Sequence, residues 1–155
     1  MPTPHADLRE LVHLIGTWRG AGEGHYPTIE PFTYEEEVEF RHSGKPLLAY
    51  AQMTRRADGT PLHSERGYWR TAGGSGVELV LAHSFGAVEV AGGTAAGRTI
   101  ETRSSTIHGT PSAKRIDEVR RRLTWNGDAL VYDLWMDAVG AGLHHHLHAR
   151  LERVD

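Results

Sequence analysis

The densest chemistry in this 155-residue chain lies near its end, in His144-His145-His146-Leu147-His148. Neutral imidazole is a common ligand for divalent metals and for haem iron. In an extended segment successive side chains point to opposite faces, so His144, His146 and His148 share one face and His145 takes the other. Leu143, Leu147, Ala149 and Leu151 fall on the face of His145, and alternation alone therefore aims His145 at an apolar interior. His-x-His spacing on one strand also allows a divalent ion, for which the sequence offers no evident carboxylate or third ligand nearby. A solvated polar strand accounts for His144 and His148. His83 ends an apolar stretch and reads as a satisfied strand-end histidine. Glu35-Glu36-Glu37 does not read as a general acid/base pair, because strand neighbours face opposite ways. No nucleophile–base arrangement stands out.

Composition narrows these options. The chain has no cysteine. Disulfides, thiolate ligation, cysteine catalysis and haem attachment through Cys-x-x-Cys-His are therefore excluded. Any haem must be held non-covalently and without a thiolate ligand. The formal net charge of −3 argues against a nucleic-acid-binding surface. Arg120-Arg121-Arg122 is expected to be a solvated edge face. The N-terminus lacks a basic segment followed by an apolar one, and no apolar run approaches membrane-spanning length. A soluble, cytoplasmic protein is the expectation, with no membrane partner.

The elements that must position the histidines are mostly strands. Residues 5–15 predict a short helical turn, with Leu8, Leu11, Val12 and Ile15 on one face, stopped by Gly16. In Gly16-Thr17-Trp18-Arg19-Gly20-Ala21-Gly22, the glycines permit close approach and the tryptophan can close the bottom of a barrel. Strands are then predicted from Tyr34, over 47–55, 64–70, 77–83, 87–90 and 98–105, over 114–125 with a bulge near Ile116, and over 130–137 and 143–153. Gly92-Gly93 and Gly97 are read as lying between strands, and His108-Gly109-Thr110-Pro111 as a loop. Asn126-Gly127-Asp128 is the clearest hairpin turn. About ten short strands with almost no helix predict one all-β domain over residues 1–155, a barrel or a sandwich.

The motifs carry a more specific likeness. Gly16-x-Trp18-x-Gly20-x-Gly22 followed by Tyr26-Pro27-Thr28-Ile29 resembles the nitrobindins, a family of small haem-binding β-barrels. Gly44-Lys45-Pro46, Pro61-Leu62-His63-Ser64-Glu65, Gly67-Tyr68, Val77 to His83, Ala113-Lys114 and His146-Leu147 match in order, spanning roughly residues 11 to 153. The resemblance implies an antiparallel up-and-down barrel of ten strands around ferric haem b. It implies that His146, the histidine directly before a leucine, is the axial iron ligand and catalytic residue, against the alternation that favours His145. It further implies that Lys114 pairs with a haem propionate, that Thr28 lines the pocket and that His63 lies on the distal side. The implied activity is isomerisation of peroxynitrite to nitrate, with reversible nitric oxide binding. The alternative is a lipocalin-like carrier of a small apolar ligand, since Gly-x-Trp also opens lipocalin barrels. Oligomeric state is left open, a homodimer included.

Overall fold

The computed structural model describes residues 2–155. Two short 3-10 turns, Ala6–Glu10 and Val12–Leu14, precede ten strands. These are β1 (Gly16–Tyr26), β2 (Ile29–His42), β3 (Leu47–Arg55), β4 (Pro61–Thr71), β5 (Gly76–His83), β6 (Ala87–Ala96), β7 (Thr99–Gly109), β8 (Ile116–Asn126), β9 (Ala129–Ala138) and β10 (Leu143–Arg153). Each strand pairs antiparallel with its neighbours in sequence, and β1 pairs with β10 to close the ring. The up-and-down barrel with a short N-terminal helical turn is the observed architecture. Closure leaves no sheet edge to protect.

Strict alternation builds the inside. In β9, Leu130, Tyr132, Leu134 and Met136 are buried while the residues between them are half-exposed. In β2, Tyr34, Glu36, Val38 and Phe40 face inward, and the acidic residues between them face solvent.

The N-terminal turns plug one end. Leu8, Leu11 and Leu14 are fully buried, whereas Val12 is 42 % exposed. The expected face of Leu8, Leu11, Val12 and Ile15 assumed an α-helical period. A 3-10 helix has three residues per turn, so the buried positions recur every third residue instead. Trp18 packs beneath them, fully buried, and its indole N–H donates to the Leu14 carbonyl at 2.9 Å. The Arg153 guanidinium lies 4.2 Å over the Trp18 ring and donates to the carbonyls of Ile15 and His13.

Several boundaries differ from expectation, β2 and β4 among them, which start earlier, at Ile29 and Pro61. β7 continues through His108 and Gly109, so the loop begins only at Thr110. Gly92 and Gly93 lie within β6, because the chain reverses at Gly97 instead. A Cβ on Gly93 would sit 1.8 Å from the Glu101 carbonyl oxygen, so glycine there permits the close crossing of β7. β8 starts at Ile116, and a register shift between Ile116 and Glu118 supplies the expected bulge.

Candidate functional site

At the end of the barrel opposite Trp18, the interior opens into a cavity of about 550 Å³. That volume lies within the range of about 300–1,000 Å³ usual for small-molecule and cofactor sites. Its apolar wall includes Leu62, Phe85, Ile107, Ile116, Leu134 and Met136. Phe32 and Tyr34 also line it, and the opening glycine motif makes room for them. A Cβ on Gly22 would lie 2.4 Å from the Tyr34 ring, and one on Gly24 would lie 2.3 Å from the Phe32 ring. The motif thus shapes the cavity wall from the neighbouring strand.

His146 reaches this cavity through a fault in the strand. His145 pairs with Trp135 and Leu147 pairs with Leu134, so His146 is an extra residue in β10. Such a bulge re-aims side chains. His146 and Leu147 both line the cavity, while His145 faces outward beside Asp133. His146 Nδ1 donates to the His25 carbonyl at 2.9 Å, because a carbonyl can only accept. That bond fixes the tautomer and leaves Nε2 as the free lone pair. The ring packs edge-on to Tyr26 at 5.5 Å and against Phe32 at 6.3 Å. Tyr26 is itself anchored: its hydroxyl accepts from the Ala138 N–H at 2.7 Å and donates to the Gly142 carbonyl at 3.0 Å. Burial lowers the His146 pKa, the His25 bond opposes that shift, and nearby Lys114 and His63 reinforce it. The imidazole is therefore neutral at physiological pH, the form that binds metal.

Facing it, half-way around the ring of ten strands, are His83 on β5 and His63 on neighbouring β4. Their rings stack at 5.4 Å, with His63 Nε2 3.3 Å from His83 Nδ1. Beneath them lies a buried ionic floor. Arg121 is only 2 % exposed and holds Glu89 with two bonds, at 2.6 and 3.0 Å. It also reaches Glu65 at 3.4 Å. His83 approaches Glu89 at 2.8 Å, His63 approaches Glu65 at 3.2 Å, and the Tyr50 hydroxyl donates to Glu65 at 3.1 Å. Burial alone would push the Glu65 pKa up, but Arg121, His63 and His83 more than offset it and hold it well below the usual carboxylate range. Glu89 is lowered for the same reasons, with Arg121 and His83 opposing burial. Among the described residues, no cation pairs with Glu36. Burial pushes it up to about 8, with the Gln52 hydrogen bond opposing and the Glu65 charge adding.

Arg121 corrects the expectation of a solvated arginine edge. A closed barrel has no edge, and only Arg120 and Arg122 lie on the outer side of β8. The signal was available, since Arg121 shares its parity with Val119, Leu123 and Trp125, all buried. The inward positions of Glu65 and Glu89 follow likewise from Trp69 and Ala91.

The mouth carries cations. Lys114, in the exposed segment before β8, lines the cavity, as does exposed Arg56, just past β3. Arg56 was not singled out by sequence, where it reads only as a residue before the Asp58-Gly59 turn. Thr28 departs from expectation. It sits exposed in the two-residue turn between β1 and β2 and is not among the residues lining the cavity, although Ile29 beside it is. A hairpin turn at the rim carries its side chains outward.

The residues present fit a haem. The cavity combines apolar walls, one neutral imidazole with a free nitrogen, and two cations at the mouth. The Tyr34 hydroxyl, Gln52 Oε1 and Arg121 Nε are buried on cavity-lining residues without a partner among the described residues. A buried polar atom left unmet costs about 1–3 kcal/mol, which matches a site built to be filled.

Comparison with known proteins points the same way. The family described as THAP4-like, heme-binding beta-barrel domain matches residues 7–153. The chain is 54 % identical to "Peroxynitrite isomerase 2" of Mycobacterium ulcerans, covering 96 % of each chain. It is 52 % identical to "Peroxynitrite isomerase 1" of Mycolicibacterium paratuberculosis, covering 99 % of each. Among solved structures, Rv2717c from M. tuberculosis superposes with a TM-score of 0.92 at 46 % identity, over 99 % of this chain and 100 % of that one.

Proposed function

Because the chain belongs to the THAP4-like haem-binding β-barrel family, we propose that it is a peroxynitrite isomerase. It would hold haem b non-covalently as the ferric form, with His146 binding the iron, and it would take nitric oxide as a further ligand. The observation that carries this reading is the bulge at His146, which turns a tautomer-fixed imidazole with a free Nε2 into the cavity. The relatives named peroxynitrite isomerase, similar over nearly their whole length, supply the reaction.

Ferric haem, when bound, would supply the iron chemistry that isomerises peroxynitrite to nitrate. The protein's own residues do the rest. His25 orients the His146 ring through its carbonyl. Tyr26 fixes the β9–β10 turn beside that ring. Leu62, Phe85 and Ile107 keep the interior dry. His63 and His83 line the opposite wall, and Glu65 and Glu89 hold those rings in place. Lys114 and Arg56 suit the propionates at the mouth, as compact and planar cations respectively.

The test is a haemin titration of the purified full chain, wild type beside His146→Ala, followed by peroxynitrite decay and nitrate yield. A one-to-one ferric Soret band in the wild type, lost in the variant, is expected together with accelerated decay and a raised nitrate yield. Full haemin loading of His146→Ala would overturn the ligand assignment. No saturable Soret shift in the wild type, with fatty acids in its extract, would replace the isomerase with a carrier.

A further inference from the structure

The bulge that turns His146 inward has a second effect on the outer wall. Without it, His145 and His148 would face opposite sides of β10. With it, both lie outside, on either side of the residues that enter the cavity. Asp133 on β9 is the direct cross-strand partner of His148. His145 Nε2 lies 2.9 Å from Asp133 Oδ1, and His148 Nδ1 lies 2.7 Å from the same oxygen. One ligand atom from each of the three residues falls within 4.8 Å of the others.

We propose that Asp133, His145 and His148 bind a divalent first-row transition-metal ion, with Zn²⁺ the best match. Two imidazoles and one carboxylate are a recurrent zinc donor set that leaves a position for water. Bonds of about 2.0–2.2 Å to each ligand require only that the three groups open slightly around the ion. Both rings are half-exposed and free to do so, at 48 % and 45 %. Each neutral imidazole exposes the facing nitrogen by moving its proton to the other one. Among the described residues, no cation competes for the carboxylate. Arg122, opposite Asp133 in the register, instead pairs with Glu101 at 3.1 Å and lies 5.1 Å over the Trp135 ring. Glu23, opposite His148 on β1, adds negative charge nearby. The cluster of His63, Glu65 and His83 also has ligand spacing. There, however, Arg121 already holds the carboxylate from within the buried floor. An ion on the outer site bridges β9 and β10 across the bulge and so braces the backbone that presents His146. The site stands independently of the haem reading.

The test is a calorimetric Zn²⁺ titration of the tag-free full chain, with and without haemin. One ion per chain is expected in both cases, with a rise in melting temperature. His148→Ala and His145→Ala should remove binding, and Asp133→Asn should weaken it by about tenfold or more, given that even supporting residues change metal affinity by ~10–100-fold. His146→Ala and His83→Ala should retain it. The proposal is overturned by a wild type that does not saturate, by binding that survives His148→Ala, or by binding that is lost in His83→Ala, which would place the ion inside the cavity. Asp133→Asn preserves side-chain shape, and circular dichroism of each variant separates lost binding from lost folding.

Discussion

The two ends of the barrel are made of different material. At the closed end, Leu8, Leu11 and Leu14 pack on Trp18, whose indole N–H has a backbone partner and whose face is covered by Arg153. At the open end, three charged side chains are buried together and a neutral histidine hangs on a strand fault. Apolar burial and satisfied hydrogen bonds stabilise a fold. Buried ions roughly cancel their own attraction against desolvation. The closed end therefore carries stability, and the open end carries chemistry at some cost to stability.

The strongest way to break this contrast is Trp18→Ala. Removing a fully buried tryptophan costs about 3–5 kcal/mol, read by urea denaturation. Haemin affinity of the folded protein should stay within about twofold, as for distant, uncoupled sites. A variant that keeps its stability, or that loses haemin affinity while folded, would show the two ends to be one unit.

Next comes Arg121→Met. It strands Glu65 and Glu89 without their cation, and breaking a buried pair from one side costs about 3–5 kcal/mol. Adding Glu65→Gln and Glu89→Gln to the same chain should recover most of that loss, since neutral replacement of a whole buried ion cluster is often tolerated. Recovery would mark the floor as functional. Failure to recover would make it a source of stability like the plug, and the contrast would fall.

The same contrast explains what the sequence made legible. Alternation and turn residues found nearly every strand, and β3 and β10 to the residue, because strand period is a local property. The plug was found with the wrong period, since apolar spacing over one turn does not separate a 3-10 helix from an α-helix. The site was harder. Alternation assigned the interior to His145, because a single inserted residue reverses parity and nothing local marks it. Family motifs singled out His146, whose side chain does line the cavity. Arg121 was hidden by its neighbours, since three consecutive arginines look solvated until parity separates the middle one. Arg56 reaches the mouth only through barrel curvature, which a linear pattern does not contain. The carboxylate beside the outer histidines, Asp133, likewise needed the β9–β10 register to be seen.

Glu36 gives a smaller effect with a definite sign. In the folded protein burial pushes it up to about 8, against about 4.3 in an unfolded chain. The folded form thus holds a proton that the unfolded form has released, and stability is lost as pH rises from about 5 to about 8. Glu36→Gln removes this dependence. Relative to the variant, the wild type should weaken by a few kcal/mol across that window in urea titrations, because each tenfold difference in proton affinity between the two states is worth about 1.36 kcal/mol. The acid side behaves oppositely. Glu65 and Glu89 are held low, so their contribution is present at neutral pH and is lost as pH falls below the ordinary carboxylate value. A difference that stays flat from about pH 5 to 8 would mean that Glu36 is ionised beside a partner, and the open end would be better satisfied than its geometry shows.

The smallest effect belongs to the rim. Lys114 and Arg56 are exposed, so each contact with a propionate is a surface ion pair worth about 0.2–1 kcal/mol. Lys114→Ala and Arg56→Ala should each weaken haemin binding by ~1.5–5-fold on that basis. The losses should add in the double variant, because the two residues come from different connections. Raising the salt should shrink them, since exposed charges are screened within about 8–10 Å near physiological ionic strength. His146→Ala should be insensitive to salt, because its loss is of a buried bond. A rim variant that costs as much as His146→Ala would mean that a cation is drawn inside on binding, and the boundary between mouth and interior would have to be moved inward past Lys114.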